Sequence, residues 1–204
     1  MGHKMTTMET DRLMIRNFEA SDWEVLHEMI VQYESSEYAV YDHQWPTSPG
    51  EIKEITKWFA GGDGFLAVCL KDTDRFIGFV SLNPEEPEEK EDCREFNLGY
   101  IFNADYHGKG YATEACRAVI GHAFDRLRAR RVVTGTAAAN RASCRLLERL
   151  GFQRTGESTG SFRNTPDGKP IEFLGRIYGI AKEEWEMAGS RHAVAYPGST
   201  VKAN

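Results

Sequence analysis

Two glycines separated by one residue lie directly before a long helical pattern, in the segment His107-Gly108-Lys109-Gly110-Tyr111-Ala112. Glycine lets backbone amides approach a ligand without obstruction by a Cβ atom. The helix that begins here directs free N–H groups and the positive end of its dipole at the same place. Such a site suits phosphate or pyrophosphate. The segment therefore predicts an anion-binding loop, with Lys109 adding positive charge at its rim.

A second motif follows after one helical pattern and one apolar strand. Asn140-Arg141-Ala142-Ser143 begins the next helical pattern, and Leu150-Gly151-Phe152 ends it. Asn140 is a favoured N-cap residue and Gly151 a favoured C′ residue, so this helix is short and has defined ends. Glycines at the spacing seen in the first motif also occur in plain turns. The combination of the two motifs is therefore more specific than either one.

Together, HGKGYA and N-x-x-S-x-x-x-L-E-x-L-G-F resemble the GNAT N-acetyltransferases. The sequence around Gly99-Tyr100 and over 108–115 is especially similar to that of the Rim-type branch, which includes ribosomal-protein N-terminal acetyltransferases. The resemblance extends over residues 9–186, from T-D-R-L-x-I-R near the start to Glu184-Trp185. It implies an α+β fold, in which helices flank a mixed, mostly antiparallel sheet. A splayed central strand pair in that sheet would bind acetyl-CoA.

The same resemblance implies where acetyl-CoA, the expected cosubstrate, is bound. The pyrophosphate is expected on the glycine loop and the first turn of the helix. The pantetheine arm is expected to pair with exposed main chain of the preceding strand, around Tyr100, and to reach the second motif. The residues expected to contact acetyl-CoA are Ile101, Phe102, Asn103, His107, Gly108, Lys109, Gly110, Tyr111, Ala112, Thr113, Asn140 and Ser143.

Three of the polar residues in these motifs have a simpler interpretation. His107 stands where the family has Gln or Arg, and it could be a turn residue without function. Asn140 could only cap its helix, a role that suits its side chain. Glu114 lies in the first turn of the long helix, where a carboxylate is favourable, and a structural role is expected for it.

Direct acetyl transfer needs a hydrogen-bond donor or an acid for the departing thiolate. Many members of the family carry a tyrosine in the last helix, at the position that Leu147 occupies here. Ser143 is the replacement that the resemblance to Rim-type proteins implies. No covalent enzyme intermediate is required, so the absence of a Cys–His or Ser–His motif does not argue against the function.

A free amine is mostly protonated at neutral pH, so a base must remove a proton from the acceptor. Rim-type relatives often carry Glu at two positions that are Asn97 and Thr155 in this chain. Glu95 shares strand parity with Asn97 and is the candidate base, since it could face the same cleft. The simpler interpretation is a solvated residue at the start of the strand. Glu157 is a weaker alternative, and the base is left open.

The elements that position these residues follow from periodicity and turn signals. Capping boxes at Ser21-Asp22-Trp23-Glu24 and Ser48-Pro49-Gly50-Glu51 predict two helices, of which the first buries Trp23, Leu26, His27 and Ile30 and the second ends near Ala60. Two more helices are predicted from Gly110 onward and over 142–150. Strands are predicted over 13–18, 65–70, 76–82, 95–102, 132–137, 152–155 and 172–180.

Two irregular segments have alternative interpretations. The stretch 34–47 contains Tyr38, Tyr41 and Trp45, which could form a lid over the acceptor or pack against the two helices. The stretch 84–94 is rich in Glu and Pro and is predicted to be a solvated hairpin loop. Its acidic run could steer a cationic amine towards the site, or could only add solubility. That run comprises Glu85, Glu86, Glu88, Glu89, Glu91 and Asp92.

The amino-acid composition limits the classes of function that the protein can have. The chain has 204 residues, of which 41% are hydrophobic and 27% charged, as in a soluble globular protein for which a cytoplasmic location is expected. The net charge of −6 argues against nucleic-acid binding. No apolar run suits a membrane span, and the cysteines and histidines lack metal-ligand spacing. One domain is predicted over 9–186, between a disordered N-terminus or expression remnant over 1–8 and a tail over 187–204.

The sequence therefore predicts an acyltransferase that moves an acetyl group from acetyl-CoA to a primary amine. The acceptor is either a protein N-terminus or a small amine. The alternative is a non-catalytic acetyl-CoA-binding sensor or regulatory module of the same fold. No nucleic-acid or membrane partner is expected, and the resemblance allows a homodimer. A P-loop or dinucleotide-binding fold is excluded by the lack of the matching glycine patterns.

Overall fold

The computed structural model describes residues 7–85 and 94–188 of the chain. Within these residues eight strands form one sheet in the order β1-β2-β3-β4-β5-β6-β8-β7. Every neighbouring pair is antiparallel except β5 and β6, which are parallel. The strands are β1 Met8–Glu9, β2 Leu13–Asn17, β3 Phe65–Leu70, β4 Phe76–Pro84, β5 Glu95–Phe102, β6 Arg131–Ala137, β7 Gln153–Gly160 and β8 Phe173–Ala181.

Helices cover both faces of the sheet, so alternate strand residues enter two separate cores. The helices are α1 Trp23–Glu34, α2 Pro49–Ala60, α3 Tyr111–Asp125, α4 Arg141–Arg149 and α5 Lys182–Met187. On one face, α3 and α4 pack on strand residues such as Leu98 and Val132. On the other face, α1 and α2 pack on strand residues such as Ala67 and Phe79. The mixed α+β fold expected from the sequence is confirmed.

The start of α1 differs from the prediction. The N-cap is Asp22 rather than Ser21, which is exposed and belongs to a 3₁₀ turn at Ala20–Asp22. Both carboxylate oxygens of Asp22 accept hydrogen bonds from Arg16, and one also accepts from the Glu19 amide. This buried ion pair takes the place of the predicted capping box.

The buried face of α1 is also different from the predicted one. Leu26 and Ile30 are buried as predicted, and Met29 joins them. Trp23 and His27 stay partly exposed. The face is therefore rotated towards Met29.

The N-cap at Ser48 that the second capping box predicts is confirmed, and the Glu51 carboxylate accepts a hydrogen bond from the Ser48 hydroxyl. The Ser48 hydroxyl accepts a hydrogen bond from the Glu51 amide at 3.4 Å, and Pro49 is the first residue of α2. Proline suits this position because its missing N–H has no partner in the helix. The helix ends at Ala60 and Gly61 is its C-cap, so the boundaries of α2 are those that the sequence predicts.

Several predicted boundaries need correction. Met8 pairs with Ile15 and is fully buried in β1, so the disordered segment predicted over 1–8 does not include it. Met187 belongs to α5 rather than to the tail. β7 continues to Gly160, well beyond the predicted end at 155. β4 reaches Pro84, and most of the acidic run, like the tail from residue 189, lies outside the described residues.

Two features are absent from the residues that the structure describes. No helix there is long and apolar enough to cross a membrane. No group of three or more His, Cys, Asp or Glu side chains in the same part of the chain could hold a metal ion.

Candidate active site

A gap opens in the middle of the sheet between β5 and β6. Their parallel ladder covers only Glu95 to Asn97 against Arg131 to Val133, although both strands continue beyond it. The Thr134 hydroxyl donates a hydrogen bond to the Leu98 carbonyl at 2.7 Å, at the first position after the ladder ends. A side chain thus stands where the next main-chain contact would be, and the strands separate from this point.

The hydrogen-bond alternation of β5 shows which of its main-chain groups face the gap. Two contacts fix the phase: the Asn103 amide donates to the Ile77 carbonyl of β4, and the Glu85 amide, directly after β4, donates to the Glu95 carbonyl. In an antiparallel pair, every second residue forms main-chain hydrogen bonds with the partner strand. The main-chain groups of Ile101, two residues before Asn103, therefore also face β4. Tyr100 and Phe102 consequently direct their N–H groups towards the gap. Of the strand residues predicted to contact acetyl-CoA, the main chain of Phe102 faces the gap, whereas that of Ile101 and Asn103 faces β4.

The chain between β5 and α3 is folded by its own polar side chains. The buried Asn103 side chain accepts a hydrogen bond from the Asp105 amide and caps a 3₁₀ turn at Ala104–Tyr106. The His107 ring lies 2.9 Å from the Phe102 carbonyl through Nε2. His107 therefore holds the loop against the end of β5, which gives it a structural role at the site.

The glycine loop has the backbone that an anion site requires. Gly108 and Gly110 adopt φ values of +74° and +83°, which L side chains rarely tolerate. A Cβ atom at Gly108 would meet nothing within 4 Å, so the space above this residue is open. Gly110 is the N-cap of α3 and provides no side-chain cap for the amides of the first turn. These amides and the helix dipole point at the open space, and the arrangement fits a phosphate group.

Two basic side chains hold this loop in place. Lys109 Nζ donates to the Asp105 carbonyl at 3.0 Å, and Arg12 Nη1 donates to the Lys109 carbonyl at 3.0 Å. The Arg12 guanidinium also lies over the Tyr111 ring, 4.4 Å from its centroid. The Arg12 guanidinium lies 3.5 Å from the Cβ position of Gly110 and is also paired with Glu114.

Glu114 braces the start of α3 against β2 and the turn before it. Its carboxylate accepts hydrogen bonds from the Thr10 hydroxyl, the Arg12 amide and the Arg12 guanidinium. Burial alone would raise the pKa of Glu114, but these hydrogen bonds outweigh it and lower the pKa below its usual value. The structural role expected for Glu114 is confirmed.

Ser143 lies in the first turn of α4, where the helix reaches the α3/α4 face of the gap. Its amide donates to Oδ1 of Asn140, the N-cap residue, and its hydroxyl lies 2.7 Å from the Tyr100 hydroxyl. Burial raises the pKa of Tyr100 well above its usual value, so this hydroxyl stays protonated. Leu147, at the position where many relatives carry tyrosine, is fully buried in the core. The structure thus brings a Tyr–Ser hydroxyl pair to the gap.

Glu95 lies away from Ser143. It begins β5 at the end where the ladder is intact, and it forms an ion pair with Arg131 at 3.3 Å. Tyr100 lies five positions further along the strand, which corresponds to about 17 Å. Glu157 forms an ion pair with Arg154, which lies three residues before it on β7. The catalytic roles predicted for both carboxylates stay predictions, and their contacts favour structural roles.

The aromatic residues before α2 lie on the opposite face of the sheet from Ser143. The Trp45 ring packs edge-on against Phe59 of α2 and Phe79 of β4, with centroid distances of 6.5 and 6.2 Å. Tyr41 packs against Phe173 of β8 at 5.5 Å. The helix packing that was one of the two interpretations is therefore present for Trp45, whereas Tyr41 contacts the sheet.

Sequence reasoning missed three residues that shape the site. The sequence points to the main chain of Tyr100 but not to its hydroxyl. It shows Arg12 only within a motif, and nothing in it marks Thr134. The available signals were weak. A hydroxyl in an apolar strand, as at Thr134, is compatible with many environments, and the partners of all three residues are distant in sequence.

Comparison with known proteins shows that the chain is similar to acetyltransferases. The family described as "Acetyltransferase (GNAT) domain" matches residues 12–153. The chain is 27% identical to the uncharacterized N-acetyltransferase YnaD of Bacillus subtilis, over 86% of this chain and 97% of that protein. It is 29% identical to the putative ribosomal N-acetyltransferase YdaF of the same organism, over 89% and 97%. A GNAT-family acetyltransferase structure from Bacillus anthracis has the same fold, with a TM-score of 0.72, 24% identity and coverage of 87% and 99%.

Proposed function

Because the chain belongs to the GNAT acetyltransferase family, we propose that it transfers the acetyl group of acetyl-CoA directly to a primary amine. The observation that carries the proposal is the gap in the sheet, which opens beside an uncapped helix N-terminus. The gap gives access to main-chain N–H groups of β5, and the start of α3 offers an anion site at its edge. An extended acyl carrier with a pyrophosphate fits both features.

Acetyl-CoA would supply an activated acetyl thioester, and the chain would position it. We assign its phosphates to the amides of 108–113, next to Lys109 and Arg12. The N–H groups of Tyr100 and Phe102 would donate to carbonyl oxygens in the gap, in the manner of an added strand. An N–H group that points at a thioester oxygen also stabilises the negative charge that develops there.

Ser143 is the proposed donor to the departing sulfur. The Tyr100 hydroxyl, which stays protonated, would donate to Ser143 Oγ and leave the serine proton free for the thiolate. Asn140 holds the start of α4 and fixes the position of Ser143. Tyr100 is therefore a positioning residue that acts through Ser143.

The cysteines of the described residues do not suit a covalent mechanism. Cys69, Cys116 and Cys144 are buried, and burial raises the pKa of Cys69 to about 11. Burial also raises the pKa of Cys116. Thiols of this kind are poor nucleophiles. Attack by the amine itself is therefore the favoured route.

The N-terminus of a protein is the first acceptor that we propose. The support is the likeness to a protein named as a ribosomal N-acetyltransferase, over nearly the whole of both chains. A small amine is the second candidate, since a net charge of −6 attracts cationic substrates. Either acceptor must lose a proton before it attacks, so the rate is expected to rise with pH towards the pKa of the amine.

Thiol release from acetyl-CoA tests the proposed function. The panel combines peptides with each free N-terminal residue, aliphatic amines, polyamines, amino acids and aminoglycosides. We expect at least one member to accelerate thiol release and to gain an acetyl group, detected by mass spectrometry. Binding of acetyl-CoA without any amine-dependent release would favour the non-catalytic sensor instead.

A further inference from the structure

One segment of the chain crosses the open gap on the face opposite Ser143. Residues 39–45, here called the strap, contact the sheet through two aromatic side chains. Trp45 packs on Phe79 of β4, and Tyr41 packs on Phe173 of β8. β5 and β6 lie between these two strands in the sheet. The four steps from Tyr41 to Trp45 cover up to about 14 Å of main chain, and the two aromatic rings reach beyond it to the flanking strands.

The registers of the strands put this crossing at the open end of the gap. Phe79 pairs with Ile101 on β5, and Ala137 of β6 pairs with Gly175 of β8. The β5–β6 ladder ends with Asn97 opposite Val133, so continuing this register would place Ile101 level with Ala137. The strap therefore passes over the part of the gap where the two strands have separated.

A partly buried ion pair fixes the strap. Glu34 is the last residue of α1, and Arg163 lies in the connection between β7 and β8. Two parallel hydrogen bonds of 2.8 Å join the guanidinium to the carboxylate. The side chains of Arg163 and Glu34 are only 16% and 10% exposed. Such a bidentate, partly buried pair has a more defined geometry than a fully exposed ion pair.

The same two side chains hold the main chain of the strap. Arg163 donates to the carbonyls of Asp42 and His43, at 2.8 and 3.2 Å. Glu34 accepts a hydrogen bond from the Trp45 amide at 3.0 Å. The Phe162 ring, next to Arg163, packs on the His43 ring at 4.3 Å. Three of the strap residues are thus tied to one ion pair.

The charges around the pair keep it ionised. Burial would raise the pKa of Glu34, but the hydrogen bonds from Arg163 and the Trp45 amide lower it overall. The hydrogen bonds to Glu34 raise the pKa of Arg163, although burial opposes them. The Asp42 carboxylate, which also faces this region, accepts a hydrogen bond from the Tyr33 hydroxyl.

We propose that the Glu34–Arg163 pair sets the position of the strap over the acceptor side of the gap, and that both are positioning residues for the acceptor. The proposal rests on the proposed acetyl transfer, because it assigns the two faces of the gap to the two substrates. Ser143 and the start of α3 occupy one face, so the amine must approach from the face that the strap borders. Neither side chain takes part in the chemistry.

Removal of the guanidinium tests this role. Arg163→Met leaves Glu34 without its partner, whereas Arg163→Lys keeps the charge but loses the planar fork, and it serves as the second variant if the first fails to fold. Lys169→Met is the matched control, since Lys169 also lies in the β7–β8 connection and forms an ion pair, with Asp167, but an exposed one. Three quantities are measured: amide exchange of residues 39–45, the Kd of acetyl-CoA, and KM and kcat for the amine that the unmodified protein acetylates fastest in the panel.

For Arg163→Met we expect amide exchange in the strap to accelerate about tenfold. We expect KM for the amine to rise about tenfold, with the Kd of acetyl-CoA and kcat within about threefold of the unmodified protein. Arg163→Lys is expected to be intermediate and Lys169→Met unchanged.

Faster exchange in the strap without a change in KM would overturn the acceptor role, as would unchanged exchange. A weaker Kd for acetyl-CoA with an unchanged KM for the amine would overturn the proposal while leaving acetyl transfer intact. Failure of the unmodified protein to acetylate any amine would remove the proposed function and the acceptor role together.

Discussion

The two sides of the gap are built in different ways. The donor side consists of backbone geometry within one short stretch, from the end of β5 to the first turn of α3. Its essential features are the positive φ values of Gly108 and Gly110 and the uncapped amides that follow. The acceptor side is built by side chains from three separate segments. Arg163 and Glu34, which are 129 residues apart, hold the strap there.

The difference indicates which residues on each side of the gap can be substituted without loss of the fold. A loop made of main-chain amides binds the same phosphate whatever the neighbouring side chains are, so it suits a cosubstrate shared by a whole family. The strap is held by a few side chains, so single substitutions can alter it. Acceptor preference is therefore expected to depend on the strap and its ion pair, and donor binding on the glycine loop.

The largest effect is expected from Gly110→Asp, which should weaken acetyl-CoA binding at least about 100-fold, or about 2.7 kcal/mol. The carboxylate would stand at the N-terminus of α3, where it would take the amides that we assign to the phosphates and repel them electrostatically. The measurement is isothermal titration of acetyl-CoA against the folded variant.

Gly168→Asp is the control for backbone strain. Gly168 has the same φ of +83°, lies in the β7–β8 connection, and has open space around its Cβ position. Its substitution should destabilise the fold by a similar amount, about 1–2 kcal/mol, and leave acetyl-CoA affinity unchanged. Equal affinities for both variants would show that the glycine loop does not bind the cosubstrate.

A smaller effect, confined to the donor side, is expected from the hydroxyl pair. Tyr100→Phe and Ser143→Ala should each lower kcat about tenfold with little change in the Kd of acetyl-CoA. The double variant should be no slower than Ser143→Ala, because Tyr100 acts through the serine. Independent, multiplying effects on kcat would contradict this coupling.

The smallest effect is expected at the brace between β2 and α3. Glu114→Gln should reduce the free energy of unfolding at pH 7 by about 1 kcal/mol, since the carboxylate accepts hydrogen bonds from Thr10 and Arg12. The folded-state pKa of Glu114 is lowered, so its contribution is present above the usual value of 4.5 and disappears as the pH falls through the lower folded value.

Urea unfolding at several pH values measures this difference. Glu54→Gln, at an ion pair that is mostly exposed, is the control and should change the free energy by less than about 0.5 kcal/mol. A difference between Glu114→Gln and the unmodified protein that grows below pH 4.5 would contradict the sign of the pKa shift.

The elements with strong local signals could be predicted from the sequence. The strands at Phe65–Leu70 and Glu95–Phe102 and the helix at Pro49–Ala60 have the predicted boundaries, because apolar runs, glycines and a capping box mark their ends. The start of α1 was misplaced at Ser21. A cap is chosen by the tertiary partners as well as by the local sequence, and here Arg16 binds Asp22.

The candidate site also combines parts that could be predicted from the sequence with parts that could not. The glycine loop and the Asn140–Ser143 turn were predicted because their residues are contiguous. The orientation of β5 main chain could not be predicted, since it depends on the phase of pairing with β4, and so Ile101 and Asn103 were included with Phe102. Glu95 was selected by strand parity alone, and parity does not reveal how far along the strand the ladder opens.

Amide hydrogen exchange with and without acetyl-CoA tests the division of the gap most directly, because one experiment reports on both sides. Saturating acetyl-CoA should slow exchange at least about tenfold over 108–113 and at Tyr100 and Phe102. Exchange in the strap, residues 39–45, should change by less than about twofold. Protection of the strap without protection of the glycine loop would contradict the assignment of donor and acceptor to opposite faces.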